Sequence, residues 1–323
     1  VKIHIPNSAF LGNINVFFSN LDLKNKDYLE ITANPNWISI HPVVLSMIAV
    51  IGKTVSPNNI KCEEITARSG HYLVTMGLFD FLGIKVNIKN IEKHETSGVL
   101  IPLKQIRNSK DLQTFLEELV PLLHLQNNPS QAESIQHIFS ELIRNVLEHA
   151  YSEHGAVVCA QYFKTSNRIS IGVADVGVGL KTSIRKSYSV MDDISAIKLA
   201  LTPGVTGTTI RPGGTAQNAG FGLFLIKSIA FVNANYFTII SGDKMYKLLK
   251  RSNNEDSFKL KSNPLEDRHS ISDVPSWDGV VVGVDISLNE NKAFSQLLGI
   301  IRDFYAKNVT GLKKEKYKKP KFI

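Results

Sequence analysis

Glu141-Leu142-Ile143-Arg144-Asn145-Val146-Leu147-Glu148-His149 is the stretch on which the reading of the chain turns. Glu141, Asn145 and His149 recur every fourth residue, so a helix stacks them on one face. Ile135, Ile138, Phe139, Leu142, Ile143, Val146 and Leu147 recur at helical spacing, which predicts a helix from Ser130 to Tyr151. Ser130 with Glu133 three residues on has the form of a capping box. A carboxylate, an amide and an imidazole in one column can hold a metal-bound phosphate and supply a general base. Alone, the column reads more readily as the wet side of a helix.

Two further stretches bear on that choice. Ala174-Asp175-Val176-Gly177-Val178-Gly179-Leu180 follows an expected strand, Ile169 to Val173. An aspartate at a strand end is well placed to touch a ligand, and the glycines permit a sharp turn and close approach. A plain glycine turn explains the stretch equally well. Gly220-Phe221-Gly222-Leu223-Phe224-Leu225-Ile226-Lys227 opens an expected helix. Free amides and the helix dipole there can bind phosphate, or the glycines simply cap the helix. The stretch is not a Walker loop, and Leu225 breaks the dinucleotide fingerprint.

In order, spacing and surroundings, the three stretches resemble the N, G1 and G2 boxes of the GHKL (Bergerat-fold) ATPase superfamily, over about Ser130 to Leu288. The resemblance implies an α+β protein with a Bergerat-type α/β sandwich that binds ATP and Mg²⁺. It implies Glu141 as general base, Asn145 as metal ligand, and Asp175 as acceptor from the adenine amino group. Gly177 and Gly179 would hinge an ATP lid of about 181–219. Gly220, Phe221, Gly222 and Leu223 would lie beside the phosphates, with His149 and Lys227 also at the nucleotide. The Glu-x-x-x-Asn-x-x-x-His pattern is most similar to anti-sigma-factor serine kinases. Neither His124 nor His137 lies in a sequence resembling the phosphoacceptor box of histidine kinases. Two departures stand out: the long lid, and a final strand with Gly279-Val280 or Gly283-Val284 where many relatives have Gly-Thr.

The remaining sequence divides around these boxes. Residues 1–108 alternate short strands (Val1 to Ile5, Tyr28 to Thr32, Ile60 to Ile65, Ile84 to Ile88) with helices (Val43 to Ile51 behind Pro42, and Gly70 to Phe81 ending at Gly83), which predicts a small α/β unit. Ile38-Ser39-Ile40-His41-Pro42-Val43 and the run Thr75 to Ile84 weakly resemble a STAS domain, with Ser39 near its phosphorylatable position. Asn108-Ser109-Lys110-Asp111 reads as a hinge or helix cap before a helix from Asp111 to Leu125. Residues 109–290 form the ATPase-like domain, with strands Ala156 to Tyr162, Ala234 to Ser241 and Gly279 to Leu288, and an unpatterned polar insertion from Ser252 to Pro275. Residues 291–323 hold a last helix, Lys292 to Lys307, and a basic tail.

Composition narrows the classes. With 43% hydrophobic residues in 323, the chain can build cores without disulfide staples, and its cysteines, Cys62 and Cys159, read as buried free thiols in a reducing, cytoplasmic setting. No apolar run is long enough to span a bilayer. The net charge of +8 falls to about +3 without the last eleven residues, so the lysines are a local feature, either a solvated end or a contact for nucleic acid. The expected function is a Mg-ATP-binding regulator, a slow ATPase or a Ser/Thr protein kinase, acting on a protein partner and possible as a homodimer. The alternatives are a nucleotide-gated switch without turnover and a nucleic-acid-associated GHKL ATPase.

Overall fold

Residues 1–88, 100–122, 129–214, 220–251, 259–288 and 294–316 are described by the computed structural model. The first segment folds as β1 (Lys2–Ile5), β2 (Ser8–Ala9), α1 (Asn15–Phe18), β3 (Leu21–Asp22), β4 (Leu29–Ala33), β5 (Ser39–Ile40), α2 (Pro42–Lys53), β6 (Ile60–Cys62), α3 (His71–Thr75) and α4 (Leu78–Leu82). β1, β4 and β6 pair in parallel and β3 adds antiparallel, in the order β3-β1-β4-β6. The helix expected from Gly70 to Phe81 is broken in two. Gly77 takes φ 73°, a left-handed conformation that ends α3 and lets α4 leave in a new direction. Among the described residues, the strand expected from Ile84 to Ile88 contributes a single bridge, Ile65 to Ile88.

The rest folds as β7 (Leu100–Ile106), α5 (Ser109–Leu122), α6 (Pro129–His149), β8 (Ala156–Phe163), β9 (Arg168–Ala174), α7 (Gly179–Arg185), α8 (Asp193–Ala200), α9 (Gly222–Val232), β10 (Phe237–Leu248), β11 (His269–Ser287) and α10 (Phe294–Lys316). One antiparallel sheet collects five strands in the order β10-β11-β9-β8-β7. Its edge strand β7 lies within residues 1–108. Of the two readings of 108–111, hinge or cap, the structure has the cap: Asn108 Oδ1 accepts from the Lys110 and Asp111 amides at 2.9 Å. Part of the stretch expected to be an unpatterned insertion, Ser252 to Pro275, is strand: β11 begins at His269 and pairs with the far half of β10, while residues 252–258 lie outside the described residues. Likewise α10 continues past Lys307 through Lys313, Lys314 and Lys316, where cations suit the negative end of a helix. Lys318, Lys319 and Lys321 lie outside the described residues.

The five-stranded sheet is buried on both faces, with period-two alternation. Ile169, Ile171 and Val173 of β9, with Val282, Val284 and Ile286 of β11, share a core with α5, α6, α9 and α10. Val157 and Cys159 of β8, Ala174 of β9 and Val281 of β11 share a core with the first segment. α2 is the contact element there. Every residue from Pro42 to Gly52 is buried, so an all-round apolar helix is explained by apolar neighbours on every side. Each of its large aliphatic side chains contributes about 1.5–3 kcal/mol of gross burial. Gly172 makes the approach possible, since a Cβ there would stand 2.2 Å from the Val43 amide nitrogen.

The N-cap of α2 also links the two parts. His41 Nδ1 accepts from the Val43 amide at 3.1 Å, and His41 Nε2 faces Asp285 Oδ1 of β11 at 3.5 Å. Burial alone would raise the Asp285 pKa, but His41, Arg168 and Ser170 together hold it below its ordinary value. Of the two free cysteines, Cys159 is buried and Cys62 partly so. Among the described residues no helix is long and apolar enough to cross a membrane.

Candidate functional site

The sheet, α6 and α9 enclose a cavity of about 270 Å³. Glu141, Asn145 and His149 line it from α6, Asp175 and Gly179 from the end of β9, and Gly220, Phe221, Gly222 and Leu223 from the start of α9. Three stretches far apart in sequence therefore meet at one place. Gly177 lies just behind the lining, where a Cβ would come within 2.1 Å of the Ala150 carbonyl oxygen. Lys227 does not join them: its ammonium is buried in an ion pair with Asp267 and sits 5.7 Å from the Phe224 ring centroid. His137 is half-buried and outside the lining, and His124 lies outside the described residues.

The floor is apolar except for Asp175. Val173, Val280, Val282, Ala150 and Leu180 surround it. The Asp175 carboxylate is fully buried and accepts from the Gly177 amide at 2.8 Å and the Val280 amide at 3.2 Å. Burial pushes its pKa up to about 7 in spite of those two hydrogen bonds. Gly279, at φ 106°, makes room for this turn, since a Cβ there would stand 2.5 Å from Asp175 Oδ1. Of the two places considered for the missing threonine, Gly279-Val280 is the one at the cavity. Gly283 instead faces Leu11 and Val43 in the first segment.

The other end is polar. A Cβ on Gly222 would lie 2.5 Å from Glu141 Oε2 and 3.4 Å from Asn145 Nδ2, so these side chains reach the open N-terminus of α9. Asn145 Nδ2 is buried and has no hydrogen-bond partner among the described residues. An unpaired amide in a cavity wall is a polar group waiting for a ligand or solvent. Arg144 and Glu148, which the motif reading passed over, also line this end. Thr206, Gly207 and Ser183 close it from the segment after β9.

Two supporting residues carried no sequence signal. Trp277 Nε1 donates to the Asp175 carbonyl at 2.9 Å. Ser241 Oγ donates to the Gly279 carbonyl and accepts from the Leu180 amide, both at 2.9 Å. Among the described residues no cluster of three His, Cys, Asp or Glu side chains is arranged to hold a metal ion. A Mg²⁺ ion here would have to arrive with phosphate oxygens and take few ligands from the protein, which is its usual habit. Compared with known protein families and with curated proteins, the sequence matches none of either.

Proposed function

We propose that this protein binds Mg-ATP in the cavity between α6, α9 and the sheet, and uses it to regulate a protein partner in the cytoplasm. The observation that carries the reading is the cavity itself. Three stretches resembling the GHKL boxes converge on it, with one buried carboxylate in an apolar floor and a carboxylate and amide at an open helix start. Helices on one face of an antiparallel sheet also suit a Bergerat-type domain, and the parallel strands of the first segment suit a STAS-like unit.

In this reading Asp175 accepts a hydrogen bond from the adenine amino group, and Val173, Val280 and Leu180 pack on the ring. Asn145 ligates Mg²⁺ through its amide oxygen, while His149, Phe221 and Leu223 flank the nucleotide. Gly220 and Gly222 keep the α9 amides clear for phosphate oxygens. Glu141 takes a proton from a water or a substrate hydroxyl, which makes the protein a slow ATPase or a Ser/Thr kinase of the anti-sigma-factor type. Mg-ATP would supply the transferable phosphoryl group.

A switch without turnover is the second reading. It draws support from Val280, which offers no hydroxyl beside Asp175. The lysines at the end of α10 keep a nucleic-acid-associated ATPase as a third. The deciding experiment measures Mg²⁺-dependent ATP turnover and nucleotide binding in the parent, Glu141→Ala and Asn145→Ala. The enzyme reading expects Glu141→Ala to bind ATP without turning it over, and Asn145→Ala to lose Mg²⁺-dependent binding. Binding without turnover in the parent selects the switch. A folded parent that binds no ATP overturns the proposal.

A further inference from the structure

A nucleotide triphosphate brings several negative charges to a cavity whose polar end already holds Glu141 and Glu148. Lys227, which the resemblance puts at the nucleotide, is paired with Asp267 and does not line the cavity. Among the described residues, Arg144 is the only lysine or arginine in the cavity wall. It sits on α6 one turn from both glutamates. Its Nε and Nη2 donate to Glu148 Oε1 at 3.0 and 2.8 Å, and its Nη1 stands 3.9 Å from Glu141 Oε1. Its side chain is 41% exposed, so the pair with Glu148 is a rim contact that stabilises little and exchanges easily.

We propose that Arg144 is the phosphate-reading residue of this cavity, held at the rim by Glu148 and transferred to the terminal phosphates when a di- or triphosphate enters. This rests on the Mg-ATP reading and adds a substrate preference to it: the site favours nucleoside triphosphate over monophosphate because of Arg144. Two features of the residue support the role. The planar guanidinium fork matches two phosphate oxygens at once, which a lysine cannot do. Its guanidinium also stands against both glutamates and offsets part of their charge at this end of the cavity.

The test is equilibrium binding of Mg-ATP, Mg-ADP and AMP to the full chain, in the parent and in Arg144→Gln, Arg144→Lys and Glu148→Gln. The parent should bind ATP more tightly than AMP. Arg144→Gln should weaken ATP at least tenfold and leave AMP within twofold, Arg144→Lys should fall between, and Glu148→Gln should tighten ATP by removing a carboxylate that competes for the guanidinium. Melting curves establish that each variant folds, as expected for surface substitutions. If Arg144→Gln weakens ATP and AMP alike, or changes neither, Arg144 is not the phosphate reader, while the nucleotide site stands. If the parent binds none of the three, the nucleotide reading and this inference fail together.

Discussion

Asp175 is where folding and the proposed chemistry pull against each other. No ion pair reaches its buried carboxyl among the described residues, and two amide donors do not offset the loss of solvent, so its pKa rises to about 7. The fold therefore prefers the protonated form. That stabilisation is complete below the ordinary aspartate pKa and is lost as pH rises from about 4 through 7, at up to about 1.4 kcal/mol per pH unit. Unfolding measured between pH 5 and 8 should show this loss in the parent and not in Asp175→Asn, whatever the variant's absolute stability. Identical profiles would assign the pH dependence elsewhere. An adenine amino group favours the ionised acceptor, so nucleotide affinity should rise over the same window. Asp175 was legible only together with the other two stretches, because by itself an aspartate between an apolar strand and two glycines reads equally well as a plain turn. Trp277 and Ser241 were not, because each acts on main-chain atoms of a strand or turn that only the folded sheet brings near.

At the scale of elements, α10 meets the segment that roofs the cavity. Gly204 and Gly213 adopt φ 81° and 79°, and the Gly213 amide donates to the Gly204 carbonyl at 3.0 Å. A Cβ on either glycine would lie 2.7 Å from a methyl of Val309, so the Val309 side chain fills the notch they form. The Gly204 amide in turn donates to the Gly220 carbonyl at 3.1 Å, which links α10 to the start of α9. Val309→Ala should empty that notch and cost about 1–2 kcal/mol locally. Hydrogen exchange should then quicken at the amides of 204–214 while those of α2 keep their rates. Uniform quickening would mean global destabilisation and no local link. The element pattern was readable where a cap or periodicity marked it, as for α2, α6, β8 and β9. It failed where the cause was distant. The half of β11 before Gly279 is polar and only partly buried, and pairing with β10 makes it a strand.

The whole molecule is organised around a sheet with no face left over. Leu103, Val157, Cys159, Val274, Trp277 and Val281 belong to the core shared with the first segment. Residues 100–316 made alone should therefore expose that apolar face, bind a hydrophobic dye and aggregate. Supplying residues 1–88 separately should reduce both effects if the face is the cause. A soluble fragment that does not bind the dye would show that the two cores are independent. This arrangement was the least visible in sequence, because small residues such as Gly172 and Gly283 mark a seat for α2 only once their strands are aligned. One covalent chain carries both sides of the contact, so their ratio is one to one in every molecule and no dilution can part them. The local concentration of one for the other is set by the tether and not by expression level. Any signal passing between the two must compete with a neighbour that is always present.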